Sequence, residues 1–390
     1  MNQFGFTEVG MRFQTKVVHV GQKPESKTGA IVPPLYQTST YAQEAPNKHQ
    51  GFDYTRADNP NFQNLEMAIA ALEGGKHAVV YSSGLGAAMA LLMQLHSGDH
   101  VLAVDDVYGG TYRLLQHLKD RFQLDVSYVA NNDVHAWQKA IRSNTKYIWL
   151  ETPTNPLLKL VDLKTICAIG KKKKIRTIVD NTFATPCLQQ PLALGADVVL
   201  HSTTKYIGGH SDVVGGALVM NESELAKELW RARMVYGLNP SPFDVWLTHR
   251  GLKTISVRVE RQVKNAAALA LFLEKQKKIR KVYYPGLSSH PDHHLAKKQM
   301  CGGGGMISIV LDADAQKLQS ALGKMKIFTL AESLGAVESL VCHPATMTHA
   351  SIPAKIREAR GIDDTLVRFS IGIEDQEDLL EALQHFLKTI

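Results

Sequence analysis

Cysteine is scarce in this chain. Cys167, Cys187, Cys301 and Cys342 are the only four in 390 residues, widely spaced and without a CxxC pair. Such spacing offers neither a disulfide framework nor a zinc site, and it fits a reducing, intracellular compartment. Long apolar runs are also lacking: none approaches the ~20 residues that span a bilayer. Residues 1–16 have no apolar h-region, so a secretory signal is not expected and a cytoplasmic location is. Internal repeats and low-complexity linkers are missing. Negative charge is in the minority, with 37 acidic side chains against 44 Lys and Arg and a net charge of +7. The plain reading of that excess is a basic surface. Its densest run, Lys171 to Lys174, ends a predicted helix, where cations suit the negative end of the helix dipole. No aromatic side chains interleave with it as a base-stacking platform requires, so no nucleic-acid partner is expected.

What remains is a chain with 44% hydrophobic and 21% charged residues, long enough for two or three packed domains. Residues 1–60 carry Pro33, Pro34, Pro46 and Pro60 with little periodicity, and they read as an extended arm. From about residue 65, short apolar runs (His77–Tyr81, His100–Val104, Asp125–Val129, Lys146–Leu150, Arg176–Val179, Asp197–Leu200) alternate with amphipathic stretches. The latter include Gly86–His96, Tyr112–Arg121, Val134–Arg142 and Leu163–Lys173. Strand–helix–strand alternation predicts an α/β fold with a mostly parallel sheet covered on both faces. A helical region from Ser241 to Lys275 follows, then strand-like runs at Arg280–Tyr284, Met306–Leu311 and Leu366–Ile371 with helices between them. The expected division is an arm at 1–60, a large α/β domain at 61–250 and a smaller α+β domain at 251–390.

Parallel sheets put their chemistry just past the carboxyl ends of their strands. Three segments stand there. Ser82-Ser83-Gly84-Leu85-Gly86 lies between a strand and a helix, where small residues and free N–H groups suit a phosphate. A dinucleotide fingerprint is excluded, because Met89 stands where its third glycine belongs. Taken alone this is equally an ordinary strand–helix turn. Asp180 ends a buried-looking strand, where a carboxylate is costly without a partner; the protonated pyridine nitrogen of pyridoxal 5′-phosphate (PLP) is one partner, and a capping role is the other reading. Lys205, in His201-Ser202-Thr203-Thr204-Lys205-Tyr206, can hold PLP as a Schiff base, with Ser202 and Thr204 offering hydroxyls to its phosphate. A single lysine is more often a surface residue. Asp180 and Lys205 are one strand–connection–strand step apart, however, so both can face one pocket, and the three segments together point to a PLP site far more specifically than any one of them alone.

Six segments carry a further likeness: Tyr36-Gln37-Thr38-Ser39-Thr40-Tyr41, Asp105-Asp106-Val107-Tyr108-Gly109-Gly110-Thr111, Glu151-Thr152-Pro153-Thr154-Asn155-Pro156, Val179-Asp180-Asn181-Thr182-Phe183, Ser202-Thr203-Thr204-Lys205-Tyr206 and Gly208-Gly209-His210-Ser211-Asp212-Val213. With them the chain, from Gln14 to its C-terminus, resembles the Cys/Met-metabolism family of PLP enzymes, which holds cystathionine γ-lyase, γ-synthase and β-lyase. The resemblance implies the type I PLP-dependent transferase fold (aspartate aminotransferase-like), with a seven-stranded-type sheet in the large domain. It implies PLP on Lys205, whose amine then shuttles protons between substrate carbons. Asp180 matches the pyridine-nitrogen partner, and Ser202, Thr204 and the N–H groups of Gly84 and Leu85 match phosphate ligands. Tyr108 matches the residue that stacks on the ring and is a candidate acid–base group.

The resemblance further implies that Tyr54 and Arg56 reach the phosphate of a neighbouring subunit, and so a homotetramer of dimers with shared sites. The sequence departs from the family's pattern just after them: Asp58 in Ala57-Asp58-Asn59-Pro60-Asn61 adds an acid that could weaken the phosphate contact. Arg368 matches the clamp for the substrate α-carboxylate, with Asn155 and Ser333 beside it. Glu332 matches the acid of γ-acting members near the far end of the substrate, and Asp53 a second acid in a comparable place. The implied activity is γ-elimination of cystathionine to cysteine, 2-oxobutanoate and ammonia. Its alternatives are γ-replacement on an O-acyl-homoserine, β-elimination and, in a different class, a non-catalytic PLP- or nucleic-acid-binding role. His290, His293 and His294 have no metal-site spacing and read as a surface loop, and Gly302 to Gly305 as a flexible turn.

Overall fold

The computed structural model describes residues 10–130, 133–350 and 352–390. Seven strands form the first sheet: β1 His77–Tyr81, β2 His100–Val104, β3 Asp125–Val129, β4 Thr145–Glu151, β5 Arg176–Asp180, β6 Val198–His201 and β7 Gly216–Met220. Their spatial order is β1-β7-β6-β5-β4-β2-β3. Every neighbouring pair is parallel except those of β7, which runs against both β1 and β6. β1, β2 and β3 coincide with the expected apolar runs. β7 was not among those runs, because Gly215 precedes it and Gly216 opens it, and together they blur its apolar pattern.

Alternation along the strands sends side chains to two different cores. Val198 and Leu200 of β6, with Leu218 and Met220 of β7, face the helices Gly84–Leu92, Leu163–Lys173 and Ser223–Tyr236. Val199, Ala217 and Val219 face Pro60–Glu73 and Pro242–Leu252 on the other side. The sheet is thus buried on both faces, as its continuous apolar strands require. Lys171, Lys172 and Lys173 do occupy the last turn of their helix. The region expected to be helical from Ser241 to Lys275 is two helices, Pro242–Leu252 and Ile255–Leu273.

A second sheet of five strands is built from β8 Ile279–Tyr283, β9 Met306–Leu311, β10 Thr329–Leu330, β11 Leu340–Cys342 and β12 Leu366–Ser370, in the order β10-β11-β12-β9-β8. Ile307, Ile309, Val367 and Phe369 pack with Leu379 and Leu383 of the helix Gln376–Thr389 in a third core. The helix Ile255–Leu273 joins the halves, with Val259 in the second core and Leu269 in the third. No helix of the described residues is long and apolar enough to cross a membrane.

Several local expectations are corrected. Within residues 10–60 the helix Phe13–His19 packs Val17 into the second core, because its apolar pair gives a short helix one face to bury. His290 is buried rather than on the surface, and its Nδ1 accepts from the Asp292 N–H at 3.1 Å. The glycine run before β9 is a close crossing more than a flexible turn: a Cβ on Gly303 would meet the Tyr284 ring at 2.6 Å.

The carboxyl ends of β1, β4, β5 and β6 converge, and a glycine makes that convergence tight. A Cβ on Gly216 would lie 2.1 Å from the Ser83 carbonyl oxygen and 2.7 Å from the Gly84 nitrogen. Gly216→Ala must therefore push the Ser83–Gly84 turn aside. We expect a loss of about 1–3 kcal/mol in urea unfolding, the usual cost of overpacking, together with weaker PLP retention. Unchanged stability and retention would show that the turn yields freely.

Candidate active site

At those strand ends lies a cavity of about 650 Å³. The first sheet contributes Gly84, Leu85, Tyr108, Glu151, Asn155, Asp180, Ser202, Thr204 and Lys205; the second half of the chain contributes Glu332, Ser333 and Arg368. Three well-separated segments expected to meet do meet here.

Each side chain is placed by local rules. Ser83 caps the helix Gly84–Leu92, its hydroxyl accepting from the Gly86 N–H at 2.9 Å. The first-turn N–H groups of Gly84 and Leu85 have no intrahelical partner and border the cavity. Tyr108 stands before the helix Gly109–Phe122, and its N–H donates to Glu151 Oε2 at 2.7 Å. Gly110 lets the Tyr108 ring fold over that helix start, since a Cβ there would sit 2.4 Å from the ring. Burial raises the Tyr108 phenol above its ordinary pKa, so the hydroxyl keeps its proton.

Asp180 ends β5 in register with Glu151 at the end of β4. Both are buried. Asp180 Oδ1 accepts from the Thr182 N–H at 3.0 Å, and Glu151 Oε1 from the Asn155 N–H at 2.9 Å. Burial raises both carboxyls above their ordinary range, and the charge of Asp180 raises Glu151 further. Two buried acids side by side call for a cation between them and the cavity. A protonated ring nitrogen at Asp180 would lower its pKa and hold it ionised. Glu151 and Thr182, whose hydroxyl accepts from the Ser202 N–H at 2.9 Å, were given no role from the sequence. Glu151 carries the same strand-end signal that picked out Asp180.

Lys205 Nζ donates to Ser333 Oγ at 2.8 Å. Burial, and then the nearby Arg368, lower its pKa to about 8, while Glu332 opposes the fall. Ser333 holds φ at +90°, a backbone conformation that strains a residue with a side chain. Arg368 lies on β12; its Nη1 donates to Asn155 Oδ1 at 2.8 Å and its Nη2 to the Ser333 carbonyl at 3.0 Å. Its Nε–H is buried without an acceptor, and no carboxylate forms a salt bridge with it among the described residues. A buried guanidinium in that state wants an anion. Glu332 is an exposed acid on the cavity wall.

Two expected phosphate hydroxyls differ in state. Ser202 borders the cavity, whereas Thr204 Oγ1 accepts from the Gly215 N–H at 3.0 Å and donates to the Gly215 carbonyl at 3.2 Å. Tyr54, Arg56 and Asp53 do not line this cavity. Arg56 Nη1 donates to the Met234 carbonyl at 3.0 Å, with its guanidinium 5.5 Å from the Tyr54 ring centre. Asp53 Oδ1 accepts from the Tyr54 N–H at 2.6 Å, and within one chain it is not on the cavity wall that carries Glu332. Asp58 turns inward to the buried Arg233, at 3.6 Å, and takes a 2.7 Å hydrogen bond from Gln63 Nε2.

These residues fit PLP: a lysine with a lowered pKa, a buried acid for the ring nitrogen, an aromatic wall, and N–H and hydroxyl groups for the phosphate. The comparisons agree. Residues 14–388 match the family model of the Cys/Met metabolism PLP-dependent enzymes. The chain is 48% identical over 372 residues to a cystathionine β-lyase of Coxiella burnetii, covering 95% of this chain and 96% of that protein. It is 48% identical over 380 residues to a cystathionine γ-lyase of Bacillus subtilis, covering 97% and 100%. A crystal structure of cystathionine γ-synthase from Xanthomonas oryzae pv. oryzae in complex with cystathionine superposes with a TM-score of 0.95 at 42% identity, covering 97% and 98%.

A lysine with its pKa lowered to about 8 is charged below that pH and a free amine above it. Carbonyl capture by the apoprotein should therefore rise through pH ~8 rather than through the ordinary ~10.4 of lysine. In Glu332→Gln the midpoint should move lower, because Glu332 favours the charged amine. A stopped-flow pH series on the apoprotein reads both values; a midpoint near that of free lysine would refute the site's electrostatics.

Proposed function

The chain belongs to the Cys/Met metabolism PLP-dependent enzyme family, and on that premise we propose that it is a cystathionine γ-lyase, giving cysteine, 2-oxobutanoate and ammonia. The observation that carries this reading is the acid Glu332 on the cavity wall that also holds Arg368 and Lys205. Cystathionine has an amino-acid group at each end. Arg368 and Asn155 bind and orient the carboxylate next to the reacting carbon. Glu332 then takes the ammonium at the far end.

When bound, PLP supplies an electron sink for negative charge developing on the substrate's carbons. Lys205 Nζ takes the proton from Cα and then handles a proton at Cβ, a task suited to an amine with a pKa of about 8. Ser333 Oγ steers that amine from 2.8 Å. The Tyr108 hydroxyl, kept protonated by burial, holds a proton for the departing sulfur.

The assembly enters the same reading. The cations among the residues lining the cavity are Lys205 and Arg368, and both have other partners. None is left for a phosphate dianion, whereas Tyr54 and Arg56 lie on the surface outside their own cavity. We therefore assign these two, and Asp53 with them, to the site of a neighbouring subunit reached by the 1–60 arm, in a homotetramer built from dimers. The four cysteines are free thiols, which supports the cytoplasmic location we propose as well.

γ-Replacement needs the same groups, and relatives named for different activities match about equally, so products decide. Cystathionine alone should release 2-oxobutanoate. Pyruvate as the main keto acid would make the enzyme a β-lyase, and turnover only with an O-acyl-homoserine plus cysteine would make it a γ-synthase. Glu332→Ala should raise the KM for cystathionine about two- to fivefold with little change in kcat, the size of an exposed ion pair. For the shared site, co-expressed Lys205→Ala and Arg56→Ala subunits should recover activity above either parent, because some mixed sites hold both native residues. No recovery would remove the arm from the site.

A further inference from the structure

Beneath the cavity floor lies a polar cluster that the reaction does not use. Glu73, Asn181, Gln189 and His201 are each at most 2% exposed, and none lines the cavity. Glu73 Oε1 takes two hydrogen bonds, from His201 Nε2 at 2.5 Å and from Asn181 Nδ2 at 2.8 Å. Asn181 Nδ2 also donates to the Gln189 carbonyl at 2.9 Å, and Gln189 Nε2 donates back to Asn181 Oδ1 at 3.0 Å and to the Thr152 carbonyl at 3.0 Å. Glu73 Oε2 is buried with no partner.

Placement gives the cluster its meaning. Asn181 directly follows Asp180, and His201 directly precedes Ser202. Thr152 directly follows Glu151. One carboxylate oxygen therefore joins the ends of β5 and β6, and Gln189 extends the tie to the end of β4. A buried carboxylate with one oxygen unpartnered is expensive. Apolar residues of the same shape would hold strands together at less cost, so stability alone is a poor reason for it. His201 also bears on Asp180 electrostatically, acting to lower its pKa against the rise that burial gives.

We propose that Glu73 and His201 are positioning residues for PLP: a buried carboxylate–imidazole pair that fixes Asp180 and Ser202 at the spacing of the ring nitrogen and the phosphate. Glu73 closes the helix Pro60–Glu73, which starts directly after the Tyr54–Asn59 segment. The cofactor's own-chain contacts and the arm are thereby hung on one rigid element.

The test compares apoprotein and holoprotein of Glu73→Gln and His201→Gln, both of which keep the side-chain size and a donor or acceptor near the original place. The probe is PLP itself. Wild-type PLP binding provides the baseline, so failure of this proposal is distinct from failure of the PLP reading. Expected are apoproteins that melt near the wild type, a Kd for PLP raised on the order of tenfold, as loss of one charge-assisted hydrogen bond would give, and an altered visible circular-dichroism band of bound PLP. A wild-type Kd and band in both variants overturns the proposal. So does an equal fall in the melting temperature of apo and holo forms with Kd unchanged, since the pair would then be structural only. If Glu73→Gln does not fold, His201→Gln alone decides by the same criteria.

Discussion

The guanidinium of Arg368 is buried between the two halves of the chain, holding Asn155 from the first sheet and the Ser333 carbonyl from the second, with no carboxylate in a salt bridge to it among the described residues. Much else follows from that one charge. It lowers the pKa of Lys205 beyond what burial does. It holds the carbonyl of Ser333, whose hydroxyl in turn receives the Lys205 amine. It leaves a donor without an acceptor in the place where an amino-acid carboxylate would bind. A site poised in this way costs stability without ligand and regains it on binding.

The rest of the cavity is an exercise in backbone proximity. Strand ends carrying Ser83, Glu151, Asp180 and Ser202 can converge because Gly216, Gly84 and Gly110 have no Cβ where a carbonyl, a serine side chain or an aromatic ring comes close. Convergence stacks two acids, Glu151 and Asp180, in adjacent register, and their mutual repulsion suits a cationic ring nitrogen. The cations among the described residues lining the cavity are Lys205 and Arg368, and this is the electrostatic reason for the second-subunit phosphate contact proposed above.

The sequence by itself determined the strand–helix rhythm, because parallel strands buried on both faces are written as continuous apolar runs that end sharply in polar residues. Asp180, Lys205 and the Gly84 turn were legible for the same reason: each is a polar residue or small turn within a few residues of the end of such a run. The family likeness added the roles of Arg368, Glu332 and Tyr108; of these only Arg368, set among apolar residues of a strand, carries a local signal. Tertiary structure alone decided the remainder. That β7 runs antiparallel, that Glu151 neighbours Asp180, that Asp58 turns inward to Arg233, and that Glu73, His201, Asn181 and Gln189 share one buried cluster all depend on contacts between segments far apart in the chain. Local propensity and spacing carry no record of those contacts, since a side chain's charge state and partner are set by what the fold brings against it.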